Sequence, residues 1–180
     1  MWRKSVLVIS VLAAGAVGFV ATSHATGTST DVPADLSAAD LAPVAISKSD
    51  QVAIQDLIGP EGASDYGISD ESFSNARQLA DTSAGPLYVV PGSSGLCLVI
   101  PSSASACGNP SDAEPTVALF VPGPSGALVG GGVIPREVTS VSLTEGDATV
   151  GATIVDGGFT VSEDLGLPSN KWDSLTVSVD

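Results

Sequence analysis

The chain has 180 residues, about the length of one domain, and it is short of bases: 20 Asp and Glu stand against 6 Lys and Arg and a single His, a net charge of −14. That balance excludes partners held by phosphate neutralisation, whether nucleic acid or an anionic lipid surface, because such binding needs clustered Lys and Arg. Charged residues are only 14% of the chain and mean hydropathy is positive, which is not the composition of a highly charged disordered protein.

The N-terminus reads as an export leader. Arg3 and Lys4 precede a 16-residue uncharged run, Val6 to Ala21, interrupted only by Ser10. Ser23 and Ala25 then place small residues at the −3 and −1 positions of a signal-peptidase site, and the chain turns polar at once. As a helix, 16 residues span about 24 Å, short of the roughly 30 Å hydrocarbon core. The expectation is therefore cleavage after Ala25 and secretion. The alternative is a cell-surface protein tethered by an uncleaved N-terminal transmembrane segment, and in that case alone would it touch a membrane. Cleavage removes Arg3, Lys4 and His24, leaving Lys48, Arg77, Arg136 and Lys171 against all 20 acids, a net charge of −16.

Residues 26–42 are small, polar and acidic without periodicity, the pattern of a flexible linker. Residues 43–180 then form a single β-rich domain whose N-terminal part, 43–84, is helical. One helix is expected over 49–58, capped by Ser49 and stopped at Gly59-Pro60. A second is expected over 69–80, with Ser69 as N-cap, Asp70 and Glu71 in the first turn where the macrodipole favours anions, and Phe73, Ala76 and Ala80 at helical spacing.

After Gly85-Pro86 the pattern changes to short apolar runs between Gly and Pro turns. Strands are expected at 87–90, 96–100, 117–121, 127–134, 138–143, 148–155, 159–161 and 174–179. The connections are too short for helical crossovers, which implies antiparallel neighbours. The fold class is mainly β, an antiparallel sandwich or partly open barrel, with one or two N-terminal helices covering an edge or an end. In 174–179, Leu175, Val177 and Val179 alternate with Thr176 and Ser178, the pattern of a half-buried strand. In 138–143 a β-bulge would bring Val138 and Val141 to one face.

Cys97 and Cys107 form an even, isolated pair in a chain expected to be exported, which reads as a disulfide. Between them, 101–106 is turn-like, so the bond would pin a flexible loop. A redox pair would use C-x-x-C spacing, and zinc would need more ligands.

From Arg77 onward the segments RQLA, LYVVPGSSGLCLVI, SACG, VGGGVIPREVTSVSL, GDATV and DGGF, within about residues 77–160, resemble a group of uncharacterised secreted β-rich proteins of high-GC Gram-positive bacteria. That group shows Val-Pro-Asp-Gly-Val where this chain has Ile134-Pro-Arg-Glu-Val138. It carries no assigned activity, so the resemblance implies an exported, disulfide-pinned β domain and no reaction.

Composition also limits chemistry. A mature chain without histidine cannot run Ser-His-Asp or Cys-His catalysis, or hold a His-ligated metal. Gly92-Ser-Ser-Gly95 lacks the G-x-S-x-G order and is read as a hairpin turn. Gly130-Gly-Gly132 lacks a following GK[ST] and is read as close strand packing. Asp70-Glu71 and Glu163-Asp164 are adjacent acids, which point apart in a strand and diverge by about 100° in a helix. Both pairs are therefore read as solvated. Asp147 and Asp156, in glycine turns, would be the local ligands of any calcium site, although ordinary turn chemistry accounts for them. Trp172 caps the sheet or anchors a ligand.

These readings identify no catalytic, cofactor-binding or metal residue and call for no cofactor. The expected function is that of a non-catalytic interaction or structural domain, secreted or at the cell surface, with an extracellular protein or cell-envelope component as partner. The alternative is a carboxylate-dependent extracellular hydrolase acting on glycans, which would need two carboxyls facing across a cleft with an aromatic wall.

Overall fold

The computed structural model describes residues 6–9, 31–34, 36–110, 117–145, 148–166 and 175–179. The chain is mainly β, with strands β1 (Val6–Ile9), β2 (Arg77–Thr82), β3 (Gly85–Gly92), β4 (Gly95–Ile100), β5 (Ala104–Gly108), β6 (Val117–Pro122), β7 (Leu128–Val133), β8 (Val141–Glu145), β9 (Ala148–Gly151), β10 (Thr153–Val155), β11 (Gly158–Val161) and β12 (Leu175–Val179). Two helices, α1 (Lys48–Tyr66) and α2 (Asp70–Ser74), precede β2. The strands form three antiparallel four-stranded sheets, ordered β2-β3-β4-β5, β10-β11-β7-β6 and β1-β12-β8-β9.

Side-chain alternation stacks these sheets. In β3 and β4, Leu87, Val89, Leu96, Leu98 and Ile100 point to one face and meet Val117, Leu119, Val121, Val129 and Val133 of the second sheet. The intervening Tyr88, Val90, Cys97 and Val99 point the other way and meet Ile54, Tyr66, Phe73 and Ala76 from the helical segment. The second sheet in turn presents Phe120, Leu128, Phe159 and Val161 to Val141, Leu143 and Val177 of the third. The order of layers is thus helices, first sheet, second sheet, third sheet. Strands buried on both faces read as unbroken apolar runs instead of alternating ones, which is why LYVV, LCLVI and VALFV are the plainest strands in the sequence. The helices cover a face of the first sheet, not an edge or an end.

Several local expectations are corrected. The helix expected over 49–58 with Ser49 as its cap begins instead at Lys48, with Ser47 as N-cap accepting from the Asp50 N–H at 3.1 Å. It breaks at Gly59 (φ 69°, ψ 170°), beside Pro60, and a second helical stretch continues to Tyr66. The helix expected over 69–80 is only α2, with a capping box between Ser69 and Ser72. Residues 77–82 are instead strand β2, because the two-residue turn Ser83-Ala84 returns the chain antiparallel along β3, pairing Arg77 with Val89 and Thr82 with Gly85. Ladder bonds and burial of Leu79 outweigh a weak helical periodicity.

Residues 148–155 are not one strand. β9 pairs with β8 in the third sheet and β10 with β11 in the second, and the chain changes sheets at Ala152, whose N–H donates to the Val141 carbonyl at 2.9 Å. Val138 sits in a turn, donating to the Pro135 carbonyl at 3.2 Å. It still packs beside Val141, so the two share a core without the expected bulge.

The linker expected over 26–42 is docked from residue 31. Val32, Leu36 and Ala38 are buried in the core between the first two sheets, and residues 37–40 form a 3-10 turn. Two arginines hold this strap. Arg77, 6% exposed, pairs with Asp31 and donates to the Leu41 carbonyl. Arg136 pairs with Asp40 and donates to the Ala34 carbonyl at 2.7 Å. Apolar anchors and guanidinium clamps oppose the composition-based tendency toward disorder.

Val6–Ile9 lie inside the stretch expected to be a leader, and here they pair antiparallel with β12 at the outer edge of the third sheet. No described helix is long and apolar enough to cross a membrane.

Candidate functional site

Cys97 and Cys107 are the candidate residues that the fold brings together. They face each other directly in the β4–β5 ladder and are joined in a disulfide. Of the segment expected to be turn-like, 101–103 is a turn, whereas Ala104–Gly108 is itself a strand. Ser105 Oγ donates to the Leu57 carbonyl of α1 at 3.2 Å, which fastens this hairpin under the helix. The bond is therefore a staple across a hairpin, with Cys97 fully buried.

Gly92-Ser-Ser-Gly95 forms the β3–β4 turn. The Ser93 and Ser94 amides donate to the Gly67 and Tyr66 carbonyls at 3.2 and 3.1 Å, so the turn docks on the end of α1. A Cβ at Gly92 would come within 2.0 Å of the Tyr66 carbonyl oxygen, and glycine is required by that approach. Gly130, Gly131 and Gly132 lie at the centre of the second sheet, between β6 and β11. A Cβ at Gly132 would meet the Phe159 ring at 2.6 Å. The triple glycine makes room for Phe159, which packs against Phe120 with ring centroids 6.2 Å apart.

Asp70 and Glu71 are exposed in the first turn of α2. Asp156 is exposed in the two-residue Asp156-Gly157 turn between β10 and β11, with Gly157 at φ 87°, which is ordinary hairpin chemistry. Among the adjacent acid pairs singled out in the sequence, Glu163 is the one with side-chain contacts to other parts of the fold. Its Oε1 accepts from Ser83 Oγ at 2.9 Å and from the Ser125 N–H at 3.4 Å. The Ser83 hydrogen bond, partly opposed by desolvation and helped by Ser125, lowers its pKa below the usual glutamate value. Glu163 thus ties the β2–β3 turn to the β6–β7 turn, and Asp164 beside it is exposed.

Tyr66 and Tyr88 are buried, and burial is the main cause that raises both phenols, with Asp65 adding to the first and Asp50 and Asp81 to the second. The Tyr66 hydroxyl is buried without a hydrogen-bond partner. Among the described residues no group of three or more His, Cys, Asp or Glu is placed to hold a metal ion. Ala25, Asp147 and Trp172 lie outside the described residues.

The electrostatic arrangement was invisible in the sequence. Every acid whose side chain is described is exposed or half-buried, and Arg77 is the one buried charge among the described side chains. Of the three described cations in the domain, Arg77 and Arg136 are spent on the strap, and Lys48 is exposed. Composition reported the scarcity of bases, but only the contacts reveal that two of them are paired within the chain, with Asp31 and Asp40. No family model, no curated protein and no solved structure matches the chain.

Proposed function

We propose that the chain is exported, loses its N-terminal segment after Ala25, and acts outside the cell as a non-catalytic recognition domain. Its partner is an extracellular protein or cell-envelope component that is cationic or neutral. The observation that carries this reading is the distribution of charge: carboxylates spread over the outside, while the described arginines are consumed in holding the strap. The resulting field repels anionic surfaces and favours basic ones at low ionic strength. A disulfide staple between β4 and β5 suits an oxidising compartment.

Carboxylate chemistry on glycans would need two carboxyls facing across a cleft. Asp70 and Glu71 lie exposed in the first turn of α2, whereas the Glu163 carboxylate is engaged by Ser83 and Ser125. The test is to incubate the exported protein with isolated cell envelope over a range of salt concentrations and to analyse the supernatant for glycan fragments. Retention that weakens with salt, without fragments, is expected. Binding that strengthens with added salt refutes the charge argument. Fragments that disappear in a single carboxylate variant establish the hydrolase instead.

A further inference from the structure

β12 lies one strand in from the end of the third sheet, behind β1, and without β1 it would be an edge of unusual character. β12 reads Leu-Thr-Val-Ser-Val, without charge or proline, and pairs with β8 through four consecutive residues without a bulge. Val177 is buried at 2% exposure, so the strand is anchored in the core. Proteins ordinarily blunt an open edge with charge, proline, a bulge or short length. The other sheet ends follow that rule in part: β2 carries a bulge between Gln78 and Ala80, β10 has three residues, β9 has four, ending at Gly151, and β6 closes on Pro122, whereas β5 is a five-residue end without charge or proline. The outer side of β12 is instead occupied, by Val6–Ile9, in a continuous antiparallel register that sets Leu7 opposite Val177 and Ile9 opposite Leu175.

The occupant belongs to the segment that export removes. We infer that the mature domain is a strand acceptor: with residues 1–25 gone, the outer edge of β12 binds an extended segment of a partner polypeptide, added antiparallel to the sheet. The chemistry of the partner follows from the strand seated there. It is uncharged and rich in β-branched residues, Val-Leu-Val-Ile, and is preceded by basic residues, Arg3 and Lys4, which suit a domain of net charge −16. Main-chain hydrogen bonds would supply most of the affinity, as in other strand-addition complexes. This inference rests on the export reading above and names the kind of partner that the recognition domain takes.

The test uses the exported protein recovered from the medium, its N-terminus fixed by intact mass. The probe is a fluorescent peptide of residues 3–10, Arg-Lys-Ser-Val-Leu-Val-Ile-Ser, and the control is the same peptide with Leu7→Pro and Val8→Pro. Successive N–H groups of a strand point to opposite sides, so the double substitution removes a ladder donor whichever side faces β12, while charge and apolar character are kept. Saturable binding is expected, at least tenfold tighter than the control, with amide exchange in 175–179 slowed at least tenfold. A protein that begins at Thr26 and binds both peptides alike, or neither, overturns strand acceptance and leaves the export reading standing. A protein that retains Met1 removes the premise and overturns the inference by that route. Slow exchange in 175–179 without peptide, together with a concentration-dependent doubling of mass, assigns the edge to a second copy and overturns the partner named here.

Discussion

Removing the disulfide is the perturbation whose magnitude follows most directly from the structure. Cys97 and Cys107 are separated by 10 positions, so the bond closes a loop of about 11 residues in the unfolded chain, which the chain-entropy model values at about 3 kcal/mol. Cys107→Ala removes the cross-link and leaves the Cys97 side chain in its buried place against Val99 and Ile54. The expected loss is about 3 kcal/mol, or about 6–12 °C in melting temperature for a chain of this size. The double variant Cys97→Ala/Cys107→Ala also empties buried volume at Cys97 and should lose about 1 kcal/mol more. Urea unfolding of the three proteins at neutral pH, with intact mass before and after alkylation to verify the bond, measures both steps. A Cys107→Ala loss below 1 kcal/mol would refute the reasoning. It would mean that the unfolded chain retains enough of the β4–β5 hairpin to be confined without the cross-link.

Gly132→Ala places a Cβ 2.6 Å from both the Phe159 ring and the Val117 carbonyl oxygen, and is expected to cost about 1–3 kcal/mol by overpacking, read by denaturant unfolding. Gly151→Ala, at a position with open space around it, is the contrasting substitution and should stay within about 0.5 kcal/mol. Arg77→Leu strands the Leu41 carbonyl and loses the Asp31 pair. Because Asp31 is 60% exposed, solvent screening limits the ionic part, and a loss of about 2 kcal/mol is expected, with faster proteolysis and amide exchange confined first to 31–41. Glu163 has a depressed folded-state pKa, so its contribution to stability is complete above the unfolded-state value and is lost as pH falls through the lower folded one. The Glu163 carboxyl should titrate below ordinary glutamates by NMR, and Ser83→Ala should move it back up; an unchanged midpoint would remove the Ser83 hydrogen bond from the account.

How much of this fold was legible depended on whether the deciding forces were local. β3, β4 and β6 announced themselves because burial on both faces demands continuous apolar sequence, and β12 because apolar and polar residues alternate along it. The Asp156-Gly157 hairpin was legible from turn chemistry alone, since a two-residue connection with positive φ at glycine selects that dipeptide. Residues 77–80 read as helix because Phe73, Ala76 and Ala80 have helical spacing, whereas what fixes them is pairing with β3. Likewise, nothing in ATVGATIV shows that its two halves enter different sheets; that follows from the partners β8 and β11. The strap was hidden for a related reason. Its sequence is that of a linker, and its order comes from a core 40 to 100 residues away and from Arg77 and Arg136. The Glu163 contacts with Ser83 and Ser125 span 80 and 38 positions, beyond any local motif.

The central claim is that an acidic, exported domain recognises a partner without catalysing a reaction. The most direct measurement is co-sedimentation of the protein recovered from the medium with isolated cell envelope, following bound protein as salt rises and glycan fragments in the same supernatant by mass spectrometry. The account predicts a chain beginning at Thr26, saturable retention that falls as salt increases, and no fragments above the level of a protein-free control. Glycan fragments that accumulate with time, and that vanish when one surface carboxylate is neutralised, would contradict it.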